Sequence, residues 1–147
     1  MAACTFFGHH ECPSSIKPKL EALLVDLIEN HAVDTFYVGN KGAFDRIVRS
    51  VLQDLAEAYP SVKYAVVLER IPNAHTADSG ADYSDTLLPD GIETVPPRFT
   101  IVWRNQWMLR RSDYVITYIT HSWGGAAKFA ESAKRQNKTV INLATDH

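Results

Sequence analysis

Between Thr35 and Pro60 the chain passes straight from a strand-forming run, through a glycine turn, into helical phase, and this limits its fold more than any other feature. Thr35-Phe36-Tyr37-Val38 is β-branched and aromatic, and Gly39-Asn40-Lys41-Gly42 cuts it off. Phe44, Ile47, Val48, Val51, Leu52 and Leu55 then recur at helical spacing until Pro60, and Lys63-Tyr64-Ala65-Val66-Val67-Leu68 reads as the next strand. A strand, a helix and a strand in that order call for a parallel βαβ unit, because parallel strands need a crossover.

The same alternation runs through the rest of the sequence. Ala3-Cys4-Thr5-Phe6-Phe7 is a short buried strand ending at Gly8. Ile16, Leu20, Leu23, Leu24, Leu27 and Ile28 mark a helix with one apolar face, closed by Asn30-His31. A helix is expected from Phe99 to Arg111, a strand over Asp113 to Ile119, a helix from Ala126 to Gln136 and a last strand over Thr139 to Leu143. Only the stretch from Pro72 to Pro97 breaks the pattern. It holds turn formers and the acids Asp78, Asp82, Asp85, Asp90 and Glu93, as a long loop or lid does, with a short helical piece expected around Tyr83 to Leu88. The expectation is one domain over residues 1–147, a Rossmann-like three-layer αβα fold whose mainly parallel sheet has about five strands.

Composition narrows the function. A net charge of −2 on 147 residues, with no basic run, leads us to expect neither nucleic acid nor a membrane as partner. The start of the chain does not read as a signal peptide, no apolar run reaches membrane-spanning length, and Cys4 and Cys12 are too few to staple a secreted fold. The expected location is the cytoplasm of a bacterial host.

In an open parallel sheet, ligands sit outside the carboxyl ends of the strands. Three loops at that edge carry the candidate binding residues: Gly8, His9 and His10; Gly39, Asn40, Lys41 and Gly42, with Asp45 just inside the helix; and His121, Ser122, Trp123, Gly124 and Gly125. Glycine lets backbone approach a phosphate, and a helix N-terminus favours negative charge. The dinucleotide fingerprint GxGxxG and the P-loop GxxxxGK[ST] are missing, and so is any CxxC or HExxH spacing, so no cofactor and no metal are expected.

Three segments carry a family resemblance: Thr5-Phe6-Phe7-Gly8-His9, Gly39 to Asp45, and Arg104-Asn105-Gln106-Trp107-Met108 followed by a strand and Ser122 to Ala127. Together they resemble the SLOG superfamily (the SMF/DprA and Lonely Guy group), in particular its small stand-alone YpsA-like branch. The resemblance implies a Rossmann-like binder of nucleotides or nucleotide-derived signals that pairs as a homodimer or higher oligomer. For a small stand-alone chain it implies a sponge or sensor of an ADP-ribose-like or cyclic nucleotide signal, including a viral counter-defence role.

It also implies two alternatives. One is a nucleotide N-glycosidase of the phosphoribohydrolase type, in which Arg104 and Met108 match an "RKxxM" motif and Gly124, Gly125 and Glu131 match "PGGxGTxxE". Arg104 and Glu131, ligand-binding residues in the main reading, would then be catalytic. Asn105, Trp123, Ala127 and Lys128 depart from those motifs, mostly in the phosphate-cradling turn, which favours binding over hydrolysis. The other is a DNA-processing accessory protein.

Overall fold

Phe6 and Phe7 are adjacent in sequence and both buried, each in a different hydrophobic cluster. That is the signature of a central strand covered on both faces. The computed structural model describes residues 2–69 and 86–144. Its strands are β1 (Ala2–Gly8), β2 (Val33–Val38), β3 (Lys63–Val67), β4 (Thr86–Leu87), β5 (Tyr114–Tyr118) and β6 (Thr139–Asn142). The helices longer than one turn among the described residues are α1 (Lys17–Asn30), α2 (Gly42–Ala58), α3 (Thr100–Arg110) and α4 (Gly125–Arg135). All the strands join one parallel sheet in the order β4-β3-β2-β1-β5-β6.

Helices α1 and α2 cover one face. Leu20, Leu24 and Leu27 of α1 and Phe44, Val48, Val51, Leu52 and Leu55 of α2 meet Cys4, Phe6, Phe36 and Ile116 there. Burying each such side chain contributes about 1.5–3 kcal/mol before the entropy of ordering is subtracted. Helices α3 and α4 cover the other face, where Trp107, Met108, Leu109 and Ala133 pack on Phe7, Val67 and Val115. Trp107 is held on both sides: the Tyr37 ring meets it edge-on at 5.3 Å, and the Arg111 guanidinium lies 4.0 Å from its ring centre.

The expected three-layer α/β fold is therefore present, with a sixth strand added. Thr86–Leu87 pairs with Val66 and Val67, and the Leu68 N–H donates to the Leu87 carbonyl at 2.9 Å. This corrects the end of the helical piece expected around Tyr83 to Leu88, whose first three residues lie outside the described residues. Thr86 and Leu87 are extended because the edge of β3 offers backbone groups that need partners. Of the acidic stretch from 72 to 97, residues 72–85, with Asp78, Asp82 and Asp85, lie outside the described residues. Beyond β4 the described part is built of turns, with single 3-10 turns at Ile92–Thr94 and Pro97–Phe99. Among the described residues no helix is long and apolar enough to cross a membrane.

From β1 the chain steps outward through β2, β3 and β4, then returns to lay β5 on the other side of β1. Gly8, the last residue of β1, is in register with Tyr118, the last of β5. The order reverses between these two strands, so a crevice opens at their carboxyl ends.

Candidate functional site

A cleft of about 490 Å3 occupies that crevice. Gly8, His9 and His10 border it from the end of β1, Lys41 and Asp45 from the start of α2, and Arg104 from the second turn of α3. His121, Trp123, Gly124 and Gly125 border it from the loop joining β5 to α4. Most of the residues singled out from the sequence are thus brought together. Five do not line the cleft. Gly39, Asn40 and Gly42 lie behind it in the β2–α2 loop, whereas Ser122 and Glu131 line a neighbouring depression with Thr117, Thr120 and Asn142, and of the cleft residues only His121 reaches both. Glu131 is exposed and lies 3.8 Å from Lys134, one turn along α4.

On the α2 side the polar groups are already engaged with one another. The Arg104 side chain is only 3% exposed. Its Nε donates to Asn105 Oδ1 at 2.8 Å, and its Nη1 donates to the Val67 carbonyl at 2.9 Å and to Asn40 Oδ1 at 3.1 Å. Burial pulls the guanidinium below its ordinary pKa, and the Asp45 and Glu69 carboxylates pull the other way. Asp45 is buried at the start of α2 and accepts the Lys41 backbone N–H at 3.1 Å. Burial pushes its carboxyl up to about 6, against the opposing pull of that hydrogen bond and of Arg104.

Glu69, just past β3, completes the cluster. Its Oε1 lies 3.1 Å from Lys41 Nζ and its Oε2 lies 4.0 Å from Arg104 Nη1. Burial works to raise its pKa, but its own backbone N–H and the two cations win, and the carboxyl sits below its usual range. Sequence reasoning missed Glu69. The available signal was an acid directly behind the apolar run Val66-Val67-Leu68, at the same sheet edge as the glycine loops.

The glycines of these loops divide by what surrounds them. A Cβ on Gly8 would enter the buried Phe44 ring. On Gly39 it would lie 2.7 Å from Asp45 Oδ2 and 2.8 Å from Arg104 Nη1. Gly42 has φ +87° and would bring a Cβ within 2.8 Å of the His10 Cα. These glycines make room for the protein itself. The His10 carbonyl also accepts the Ala43 N–H at 2.7 Å, so the first turn of α2 is partly closed from within.

The β5–α4 loop differs. Gly124 takes φ +98°, which explains why it is glycine, yet a Cβ there would meet nothing within 4 Å. Gly125 has neither a positive φ nor a neighbour within 4 Å, so nothing among the described residues requires it to be glycine. No side chain caps α4, so the N–H groups of Gly125, Ala126 and Ala127 end the helix without the usual side-chain acceptor. The loop itself is pinned by Asn142, which sequence reasoning also missed. Its Oδ1 accepts the Ile119 N–H and its Nδ2 donates to the Ile119 carbonyl, both at 3.0 Å.

Three rings stand in line above this turn. The His9 and His121 ring centres are 3.8 Å apart at 12°, and those of His121 and Trp123 are 3.8 Å apart at 17°. The Thr120 N–H donates to His9 Nε2 at 3.0 Å, which places the His9 proton on Nδ1. Burial, then the neighbouring His121, hold the His9 pKa below 6.5. Burial also pushes the Cys12 thiol up to about 11, so it offers no thiolate nucleophile near neutral pH.

No family model and no curated protein matches the sequence. Among solved structures, the chain is similar to DNA processing protein A from Helicobacter pylori, described for its single-stranded DNA binding mode. The TM-score is 0.64 and the sequence identity 16%, over 96% of this chain and 64% of that one. The chain therefore spans a little under two thirds of that structure. The neighbour belongs to the superfamily that the sequence resembles, and the likeness is one of fold.

This finding corrects the expectation that nucleic acid is no partner for a chain of this kind. The same fold carries a single-stranded DNA binder. Net charge is an average over the whole chain, whereas strand binding depends on the few groups that meet phosphate and base.

Proposed function

We propose that the chain binds a phosphorylated nucleotide unit in the cleft, without cleaving it, and seats the phosphate on the first turn of α4. The observation that carries this reading is Gly125. It is a glycine with open space beside it, at an uncapped helix N-terminus, on the rim of a cleft that also holds Lys41 and Arg104. Backbone N–H groups and the helix dipole favour an anion there, and a side chain would stand in its way.

The absence of cleavage is supported by the separation of Arg104 from Glu131. A phosphoribohydrolase mechanism would need both at one ligand, whereas Arg104 lines the cleft and Glu131 the neighbouring depression.

The unit has two candidate sources. A specific observation favours single-stranded DNA, and so a DNA-processing role: the fold likeness to DNA processing protein A. The other source is a free nucleotide-derived signal held by a sponge or sensor, and that reading rests on the sequence resemblance alone. One experiment separates them. Purified protein is titrated with AMP, ADP-ribose, cyclic ADP-ribose and a 12-residue thymidine oligonucleotide, following melting temperature, and the ligand is then recovered for mass spectrometry. Ligand that binds the native state raises the melting temperature by mass action. A shift with the ligand recovered intact is expected. Release of free base would overturn the non-cleaving reading, and no shift with any of the four would overturn the binding reading.

A further inference from the structure

The line of three rings has a free end. His9 is fixed by the Thr120 N–H and meets the Tyr118 ring nearly edge-on, at 83°. His121 Nδ1 lies 3.0 Å from the Trp123 carbonyl, which ties the middle ring to the backbone of the outer one. Trp123 closes the stack and is still 69% exposed, more than any other exposed large apolar side chain among the described residues. A large aromatic ring held in a fixed plane, with one face covered and the rest open to water, suits a second flat ring. Stacking gains contact area at little further cost in conformational freedom when the platform is already ordered.

We propose that the His9–His121–Trp123 stack is a platform that receives one unpaired nucleobase on the outer face of Trp123. The proposal deepens the nucleotide-binding reading and rests on it. Trp123 is two residues from Gly125, at most about 7 Å along the chain. Base on the ring and phosphate on the turn are thus within the span of a single nucleotide. An indole face offers area and no pattern of donors and acceptors, so the platform accepts any base. It needs both that the base be present and that its face be free. A mononucleotide and a single strand meet those conditions, and a duplex does not.

The test compares wild type with Trp123→Ala and Trp123→Phe by calorimetry. The probes come in matched pairs: AMP against ribose 5-phosphate, and a 12-residue thymidine strand against an abasic strand of equal length. A covalently closed circular duplex, which has neither loop nor end, is included as a further probe. The base-containing probes should bind wild type more tightly than their base-free partners and than the duplex. Trp123→Ala should lose on the order of tenfold to a hundredfold for base-containing probes, and little for base-free ones. Trp123→Phe should recover most of that loss. Tryptophan emission should fall when AMP binds wild type, should not fall with ribose 5-phosphate, and should not fall with AMP in Trp123→Phe.

Unchanged affinity in Trp123→Ala overturns the platform, and so does an equal loss for probes with and without a base. Because Trp123 is exposed, the melting temperature of the free variants should match wild type, which separates a binding defect from misfolding. If wild type binds none of these probes, the nucleotide-binding reading fails and the platform with it. If they bind with no dependence on Trp123, only the platform fails.

Discussion

The two glycine loops that lead into helices look alike in sequence and do opposite things in the fold. Gly39-Asn40-Lys41-Gly42 is closed on itself. Gly39 packs on Asp45 and Arg104, Gly42 packs on His10, and the His10 carbonyl takes an N–H from the first turn of α2. Around Gly124-Gly125 no described residue lies within 4 Å of where the side chains would be. A glycine inside a packed contact reports the shape of the protein. A glycine that nothing in the protein requires points to something outside it.

Damage to the closed loop should cost the most. Arg104→Met removes the cation that Asp45 and Glu69 share and leaves both carboxyls buried, and a loss of about 3 kcal/mol in folding stability is expected. Urea unfolding monitored by circular dichroism measures it, and a loss under 1 kcal/mol would mean that the cluster is not the keystone of that loop. Gly42→Ala forces a side chain into positive φ and against the backbone of His10, at a cost of about 2 kcal/mol in the same assay.

Asp45 reports on the closed loop through pH. Its carboxyl moves from the ordinary 3.8 to about 6, so between those values the folded chain keeps a proton that the unfolded chain has released. The stabilising contribution is complete below about pH 3.8 and is lost as pH rises through about 6. Asp45→Asn removes that titration. The stability of wild type relative to the variant should therefore fall across this window, by about 3 kcal/mol, and stay level above it. A difference that does not change with pH would show that Asp45 is not held protonated by burial.

Much of this fold was legible because its signals are local. Strand-forming runs, glycine turns and helical stripes such as Phe44 to Leu55 fix element type within a short window, and their alternation fixes a parallel sheet. Strand β4 escaped because two residues, Thr86 and Leu87, are extended only by pairing with β3. Most of the cleft residues were also legible, since the carboxyl edge of the sheet gathers whatever follows the strands.

The division of labour among those residues was not legible. Glu69 gains its meaning from Lys41 and Arg104, and Asn142 from Ile119, all distant in sequence. No sequence pattern separates a glycine that yields to Phe44 from one that faces open space. The expectation against nucleic acid failed for a related reason, because a charge total says nothing about where the charges lie.

The most direct test of the account is Gly125→Ala, with folding stability and ligand binding measured on the same preparation. The added methyl group meets no atom of the described residues within 4 Å, and alanine is the better helix residue. Stability should hold or rise by up to about 1 kcal/mol. Affinity for AMP or for the thymidine strand, whichever binds wild type, should fall by about tenfold or more, since one misplaced methyl displaces the phosphate from its donors. Wild-type affinity in a stably folded Gly125→Ala protein would contradict the account, because the phosphate would then not be seated on the first turn of α4.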